Sequence, residues 1–131
     1  MADEGSSDAR RRRRLSRSGD FDRVYREGSS RGNRFLVLYS FARGDDGEGD
    51  RAPRLGVSVG KRIGKAVQRN KVKRAVRESF WELADELPGS SDYVIVARPG
   101  VEGLVEREGA AGVRESLAEL IAPESGEERL S

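Results

Sequence analysis

The chain has 131 residues, of which 37% are charged and 35% hydrophobic, so it can form one domain with a core while part of its length stays polar. Histidine and cysteine are absent, which excludes disulfides, thiolate metal sites and the usual general bases and nucleophile pairs near neutral pH. The net charge is only +2, but residues 51–77 carry +10 and residues 78–131 carry −9. Such segregation favours a polyanionic partner for the central segment.

Both ends of the chain are polar. Residues 1–14, which end in the five arginines Arg10 to Arg14, predict a disordered basic tail. Residues 123–131 predict a second disordered tail, and residues 15–122 predict a single domain between the two. No apolar run reaches the length of a bilayer span and no secretory signal is evident. Because the absence of cysteine also fits a reducing compartment, we expect a cytoplasmic protein.

The first part of the domain predicts a helix and a hairpin. The helix begins at Ser18 or Asp20 and is ended by Gly28 and the Ser-Ser-Arg-Gly at 29–32. One of its faces carries Phe21, Val24 and Tyr25. Strands are predicted at 35–41 and 54–60, on either side of a loop that is acidic at 44–50. Alternation along the first strand places Phe35, Val37, Tyr39 and Phe41 on one face.

The central element is a helix predicted from about Gly64 to Leu87 and ended by Pro88 and Gly89. Its apolar stripe comprises Val72, Ala75, Val76, Phe80, Leu83 and Leu87. The adjoining stripe comprises Asn70, Lys73, Arg74 and Arg77, with Arg69 near the apolar boundary. A strand at 92–98 and a helix at 113–121 complete the order α-β-β-α-β-α. This order predicts an α+β fold with helices packed on a small sheet.

The charge of the central helix requires a counterpart. Eight basic residues and no acidic residue lie between Lys61 and Arg77. Arginine forks match phosphate oxygens, and aromatic rings beside basic side chains are typical platforms for unstacked bases. Core packing explains Phe21 equally well, whereas the phenols of Tyr25 and Tyr39 favour a solvated edge. The pattern therefore predicts a protein that binds nucleic acid, with no catalytic residue and no metal site of its own.

The sequence resembles a known family along most of its length. The run RNxxKRxxR at 69–77, preceded by VGKRIGKAV at 59–67, is similar to the signature of the bacterial ribonuclease P protein subunit. The segments LSRSGDFDRVYREG at 15–28, FLVLY at 35–39 and DYVIVARPG at 92–100 resemble that family's first helix and two of its strands. The acidic segment at 44–50 and the arginine run at 10–14 depart from the usual pattern.

The resemblance implies an accessory subunit of an RNA enzyme. The catalyst would be a large RNA with Mg²⁺ bound mainly by that RNA, the substrate precursor tRNA, and the reaction removal of its 5′ leader. The fold implied has a left-handed βαβ crossover. The residues implied to contact the catalytic RNA are Arg69, Asn70, Lys73, Arg74 and Arg77, flanked by Lys61, Arg62 and Lys65. Those implied to line a cleft for the single-stranded leader are Phe21, Tyr25 and Tyr39. Neither a membrane nor a small-molecule substrate is implied.

Three alternatives remain open at this point. A non-catalytic RNA-binding module, such as a ribosomal protein or an RNA chaperone, would share the basic helix but would need no leader cleft. A DNA-binding helix motif is disfavoured because no second helix lies a short turn from the basic one. A stand-alone hydrolase is disfavoured by the absence of histidine and cysteine.

Overall fold

The computed structural model describes residues 13–15, 18–43, 53–87 and 90–121. The strands are β1 (Arg13–Arg14), β2 (Ser29–Gly32), β3 (Leu36–Ala42), β4 (Arg54–Ser58) and β5 (Ser91–Ala97). The helices are α1 (Ser18–Glu27), α2 (Ala66–Leu83) and α3 (Val101–Ile121). Short 3₁₀ helices at Lys61–Ile63 and Ala84–Glu86 flank α2. The predicted tail at 123–131, most of the tail at 1–14 and the acidic segment at 44–50 lie outside the described residues.

The strands form one mixed sheet in the order β1-β4-β5-β3-β2. The central strand β5 pairs parallel with β4 and antiparallel with β3. At the edges, β1 pairs parallel with β4 and β2 pairs antiparallel with β3. The elements β4, α2 and β5 therefore form a parallel βαβ unit. The predicted α+β class is confirmed, and the left-handed sense of the crossover stays a prediction.

Both faces of the sheet are covered by helices. Because side chains alternate between the two faces along each strand, each face contributes to its own apolar cluster. On one face the strands pack against α2 and α3 around a core that includes Leu38, Ile95 and Phe80. On the other face α1 packs through Val24 against a smaller cluster that includes Val94. The site residues on α1 and on α2 are thus held against opposite faces of the same sheet.

Helix α2 is positioned by the apolar stripe that the sequence predicts. The side chains of Val72, Ala75, Val76 and Phe80 are buried. Together they point one face of the helix into the core. The helix begins two residues later than predicted, at Ala66, and gives way to a 3₁₀ helix at Ala84. The adjoining stripe of the helix is consequently left at the surface.

Three features differ from the prediction. Arg13 and Arg14, which fall within the predicted basic tail, form β1, and Leu15 beyond them donates its backbone N–H to the Leu55 carbonyl at 2.9 Å. Residues 29–32, predicted only to end the first helix, form the edge strand β2. Phe35 precedes β3 and packs against the α2 and α3 core, so it does not share the face of Tyr39.

The last helix starts twelve residues before its predicted beginning at residue 113. It runs from Val101 to Ile121, with a break at Gly109, where φ is +68°. That conformation is readily adopted by glycine and strained for other residues. The break divides the helix into segments 101–108 and 110–121, and both segments contribute to the core through residues such as Leu104 and Leu117.

Candidate nucleic-acid interface

The start of α2 is shaped by a glycine and a glutamine. Gly64 has a φ of +152°, and a Cβ atom at this position would lie 2.2 Å from Oε1 of Gln68. The same Oε1 accepts a hydrogen bond of 3.0 Å from the backbone N–H of Lys65. Gly64 therefore allows the close approach that lets Gln68 cap the helix.

Cations surround this helix terminus. The side chains of Lys61, Arg62 and Lys65 are exposed, and the first turn of α2 contains no acidic residue. Because the N-terminus of a helix already carries a partial positive charge, added cations are unfavourable there and an anion is attracted. The arrangement is suited to bind a phosphate group.

The basic ridge of α2, which comprises Arg69, Asn70, Lys73, Arg74 and Arg77, follows this terminus. Asn70 and Arg74 are exposed, and the other three side chains are half-buried. An open groove with a volume of about 420 Å³ runs along the ridge. Its lining consists of Asn70, Lys73, Arg74, Arg77, Glu78 and Trp81. We call this the ridge groove.

The cations of this surface have no acidic partners in the described part of the chain. The ion pairs between described residues involve Arg23, Arg43, Arg54 and Arg114. None of them includes a cation between Lys61 and Arg77. Since like charges four residues apart on a helix repel, the ridge is a source of unfavourable energy in the free protein. It is available to phosphates without first breaking an ion pair.

An aromatic cluster lies on the opposite face of the sheet. The rings of Tyr25 on α1 and Tyr39 on β3 meet edge to face, with centroids 4.9 Å apart and an angle of 74° between planes. Phe21 lies 6.3 Å from Tyr25. The guanidinium group of Arg23 lies 5.9 Å from the ring centroid of Phe41. The cluster therefore combines aromatic faces with a nearby cation, as single-stranded nucleic-acid sites do.

The exposure of the rings differs. Phe21 is half-buried, and its ring occupies the space of a side chain at Gly56, because a Cβ atom there would lie 2.4 Å from the ring. Tyr25 is 38% exposed. Burial raises the pKa of the Tyr25 hydroxyl, although a hydrogen bond with Ser58 lowers it. Tyr25 is therefore a neutral phenol at neutral pH, anchored at one end and accessible to a ligand.

The structure brings the predicted residues together in three groups. The rings of Phe21, Tyr25 and Tyr39 form the aromatic cluster. The side chains of Asn70, Lys73, Arg74 and Arg77 share the ridge groove. Lys61, Arg62 and Lys65 lie at the start of α2, and Arg69 belongs to the ridge without lining the groove. Glu78 and Trp81 were not among the predicted residues, although Trp81 follows Arg77 at the helical spacing of four residues.

Neither a metal site nor a membrane span is found in the part of the chain that the structure describes. Within it, acidic side chains form no group of three or more that could hold a metal ion. None of the helices there is both long enough and apolar enough to cross a bilayer.

Comparisons with known proteins agree on one family. The family model described as Ribonuclease P matches residues 9–121. The ribonuclease P protein component of Brevibacillus brevis is 45% identical over 94 residues, which span 72% of this chain and 71% of that protein. The corresponding protein of Shouchella clausii is 39% identical over 120 residues, spanning 87% and 92% of the two chains.

Solved structures show the same relationship. The structure of the RNase P protein of Staphylococcus aureus superposes with a TM-score of 0.70 at 31% identity and covers 82% of this chain and 91% of its own. The RNase P protein of Thermotoga maritima superposes with a TM-score of 0.70 at 34% identity, covering 82% and 94%.

Proposed function

Because the chain belongs to the ribonuclease P protein family and is therefore a protein subunit of that endoribonuclease, we propose that its basic ridge binds the catalytic RNA and its aromatic cluster binds the 5′ leader of precursor tRNA. The enzyme removes the leader during tRNA 5′ maturation, and the partners of the subunit are the ribonuclease P RNA and precursor tRNA. The assignment of residues to the two RNAs is our inference from their chemistry and placement.

The main support for the proposal is that the basic ridge and the aromatic cluster are separate surfaces. The ridge belongs to α2, whose apolar stripe packs on one face of the sheet, whereas the aromatic cluster lies between α1 and the other face. The ridge presents cations along a rigid helix, which suits a folded RNA whose phosphates have fixed positions. The cluster presents ring faces, which suit a strand with unstacked bases. One small domain can thereby contact two RNA segments of different structure.

The start of α2 connects the two surfaces along the chain. Ser58, which is hydrogen-bonded to Tyr25, lies three residues before Lys61 and four before Arg62. We infer that these two cations and Lys65 bind phosphates of the leader or of the catalytic RNA beside the cluster. Phosphate repulsion between substrate and catalytic RNA would be screened at this point.

Ribonuclease P is a metal-dependent ribonucleoprotein. Among the described residues of this chain, no group of three or more acidic side chains is placed to hold such a metal, and the interface is mainly cationic. We therefore propose that Mg²⁺ is bound by the RNA and that the chain itself takes no chemical step. We also propose that the protein acts in the cytoplasm, in line with its lack of cysteine.

The leader assignment is tested by varying leader length. In holoenzymes carrying Tyr25→Ala or Tyr39→Ala, binding of a precursor with a leader of several nucleotides should weaken by about 1–3 kcal/mol for each base that loses its stacking partner. Binding of a precursor with a one-nucleotide leader should hardly change. The variants Tyr25→Phe and Tyr39→Phe keep the rings and are the matched controls. Equal losses on both substrates, or loss of thermal stability in the alanine variants, would contradict leader binding by these rings.

A further inference from the structure

The ridge groove ends in residues of a different kind from those that line the rest of it. Asn70, Lys73, Arg74 and Arg77 give way to Glu78 and Trp81, and Trp81 is the single tryptophan of the chain. From Asn70 to Trp81 the groove extends along twelve residues of helix, or roughly 16.5 Å at 1.5 Å per residue. It therefore has a cationic part and an aromatic, acidic end.

We infer that Trp81 is a stacking platform for an unpaired base of the RNA that docks on the ridge. In this arrangement Lys73, Arg74 and Arg77 bind the phosphates of a short segment, and the base at its end lies on the indole. The inference rests on the proposed function of the ridge and adds to it a nucleotide site that the basic signature does not contain.

The indole is held in place by the core. Phe80, which is fully buried, meets the ring of Trp81 edge to face, with centroids 4.8 Å apart and an angle of 84° between planes. Phe80 is packed in turn against Tyr93, with centroids 5.4 Å apart. Trp81 is itself only half-buried, so part of the ring faces the groove. A ring that is already ordered loses little conformational freedom when a base stacks on it.

Glu78 explains why this end of the groove suits a base and not a phosphate. Its carboxylate is exposed beside Trp81, and it takes part in none of the ion pairs between described residues. A carboxylate repels phosphate but accepts hydrogen bonds from the exocyclic amino group of a base. The end of the groove therefore favours cytosine, adenine or guanine over uracil.

The competing explanation is that Trp81 only fills the edge of the core, against which it packs. Because the chain contains one tryptophan, fluorescence that is excited at a wavelength absorbed by tryptophan but not by the three tyrosines reports on this residue alone. The wild-type protein is titrated with a bacterial ribonuclease P RNA, and the fluorescence and the dissociation constant are measured. Stacking should quench the emission in a saturable way, with the same midpoint as RNA binding.

Variants at the same position supply the second measurement. Trp81→Leu keeps an apolar side chain but removes the ring, and affinity for the RNA should fall roughly 5- to 150-fold, the factor expected for one stacked base. Trp81→Phe keeps a smaller ring and should recover part of that loss. Leu83→Ala, in the same helix and packed against the core outside the groove, is the control for weakened packing. It should leave the affinity unchanged.

The outcomes separate this inference from the proposed function. A wild-type protein that binds the RNA and stimulates cleavage of precursor tRNA, but whose fluorescence is not quenched, would overturn the platform alone. So would unchanged affinity in Trp81→Leu. A wild-type protein that neither binds nor stimulates would overturn the proposed function as well. Equal quenching by oligocytidylate and oligouridylate would overturn the role of Glu78.

Discussion

Lys73→Ala is expected to weaken RNA binding and to stabilise the free protein at the same time. Lys73 lines the ridge groove and has like-charged neighbours one turn away on either side, Arg69 and Arg77. No ion pair between described residues involves it. Its removal should therefore take away the phosphate contact that we propose for it and two repulsive pairs, without leaving a buried group unsatisfied.

Both magnitudes follow from this placement. Each repulsive pair costs about 0.2–0.5 kcal/mol at low salt, so the free energy of unfolding should rise by roughly 0.4–1 kcal/mol. The loss of one phosphate contact should reduce the slope of log affinity against log salt by about 0.7–0.9. Over a fourfold rise in salt concentration, the wild-type protein should then lose about threefold more affinity than the variant.

The assay measures the dissociation constant for the catalytic RNA across that salt range at constant magnesium, together with denaturant unfolding of the free protein at low salt. Lys71→Ala is the matched control, because it makes the same substitution in the same helix. Lys71 is exposed and does not line the groove, and it has one like-charged neighbour at helical spacing, Arg74, where Lys73 has two. Equal slopes for the two variants, or a less stable Lys73→Ala protein, would refute the reasoning.

Two further predictions concern stability. The carboxylate of Asp92 is fully buried and accepts hydrogen bonds from Arg54 at 2.7 and 2.8 Å and from Arg43 at 2.8 Å. Asp92→Asn should therefore lower the free energy of unfolding by about 3–5 kcal/mol, as measured by denaturant titration. The exposed Asp85→Asn is the control, and a loss no larger than that of the control would contradict the prediction. Burial raises the pKa of Tyr93 above its ordinary value of 10.0. Since the folded protein then holds the phenol proton more tightly than the unfolded chain, the free energy of unfolding should fall as the pH rises from 10.0 through the raised value. Tyr93→Phe should reduce this alkaline loss in unfolding titrations, and an unchanged pH dependence would show that Tyr93 does not cause it.

The elements that were predicted correctly are those whose own residues show the pattern of a helix or a strand. Helix α2 has an apolar stripe at helical spacing and stop residues close to its end, so its face towards the core could be assigned before the structure was known. Strands β3 and β5 consist largely of β-branched, aromatic and aliphatic residues in short runs, and β4 alternates Leu55 and Val57 with small or polar residues. For these segments, local composition and tertiary packing favour the same structure.

The edge strand β2 could not be predicted from its own residues, because it is defined by its pairing with β3 and by a turn whose contacts reach α3. Its residues, Ser-Ser-Arg-Gly, have little strand propensity. The turn that follows is organised by Asn33, whose Oδ1 accepts hydrogen bonds from the backbone N–H groups of Phe35 and Leu36 at 3.0 Å. Its Nδ2 donates to the Ser116 carbonyl on α3 at 2.9 Å. A partner 83 residues away leaves no signal in the local pattern.

The same limit applies to parts of the site. The cations of the ridge were predicted because their spacing places them on one stripe of α2. Whether the Trp81 ring is enclosed or faces the groove depends on how α3 and β5 pack against Phe80, which the sequence of α2 does not contain. Asp92 likewise appears in the sequence only as the start of a strand, while its arginine partners lie 38 and 49 residues away.

The packing of α2 explains how the protein maintains a helix whose charges oppose its formation. Its first turn lacks the acidic residues that would favour the helix dipole, and the cations of its ridge repel one another. These effects cost a few tenths of a kcal/mol per pair, whereas burial of a valine or phenylalanine side chain contributes about 1.5–3 kcal/mol. Burial of Val72, Val76 and Phe80 therefore outweighs the repulsion several times over. Because the core and not the charge pattern holds the helix, the cations remain at fixed spacing in the absence of RNA, and the RNA phosphates that we propose to bind them would not have to order the helix first.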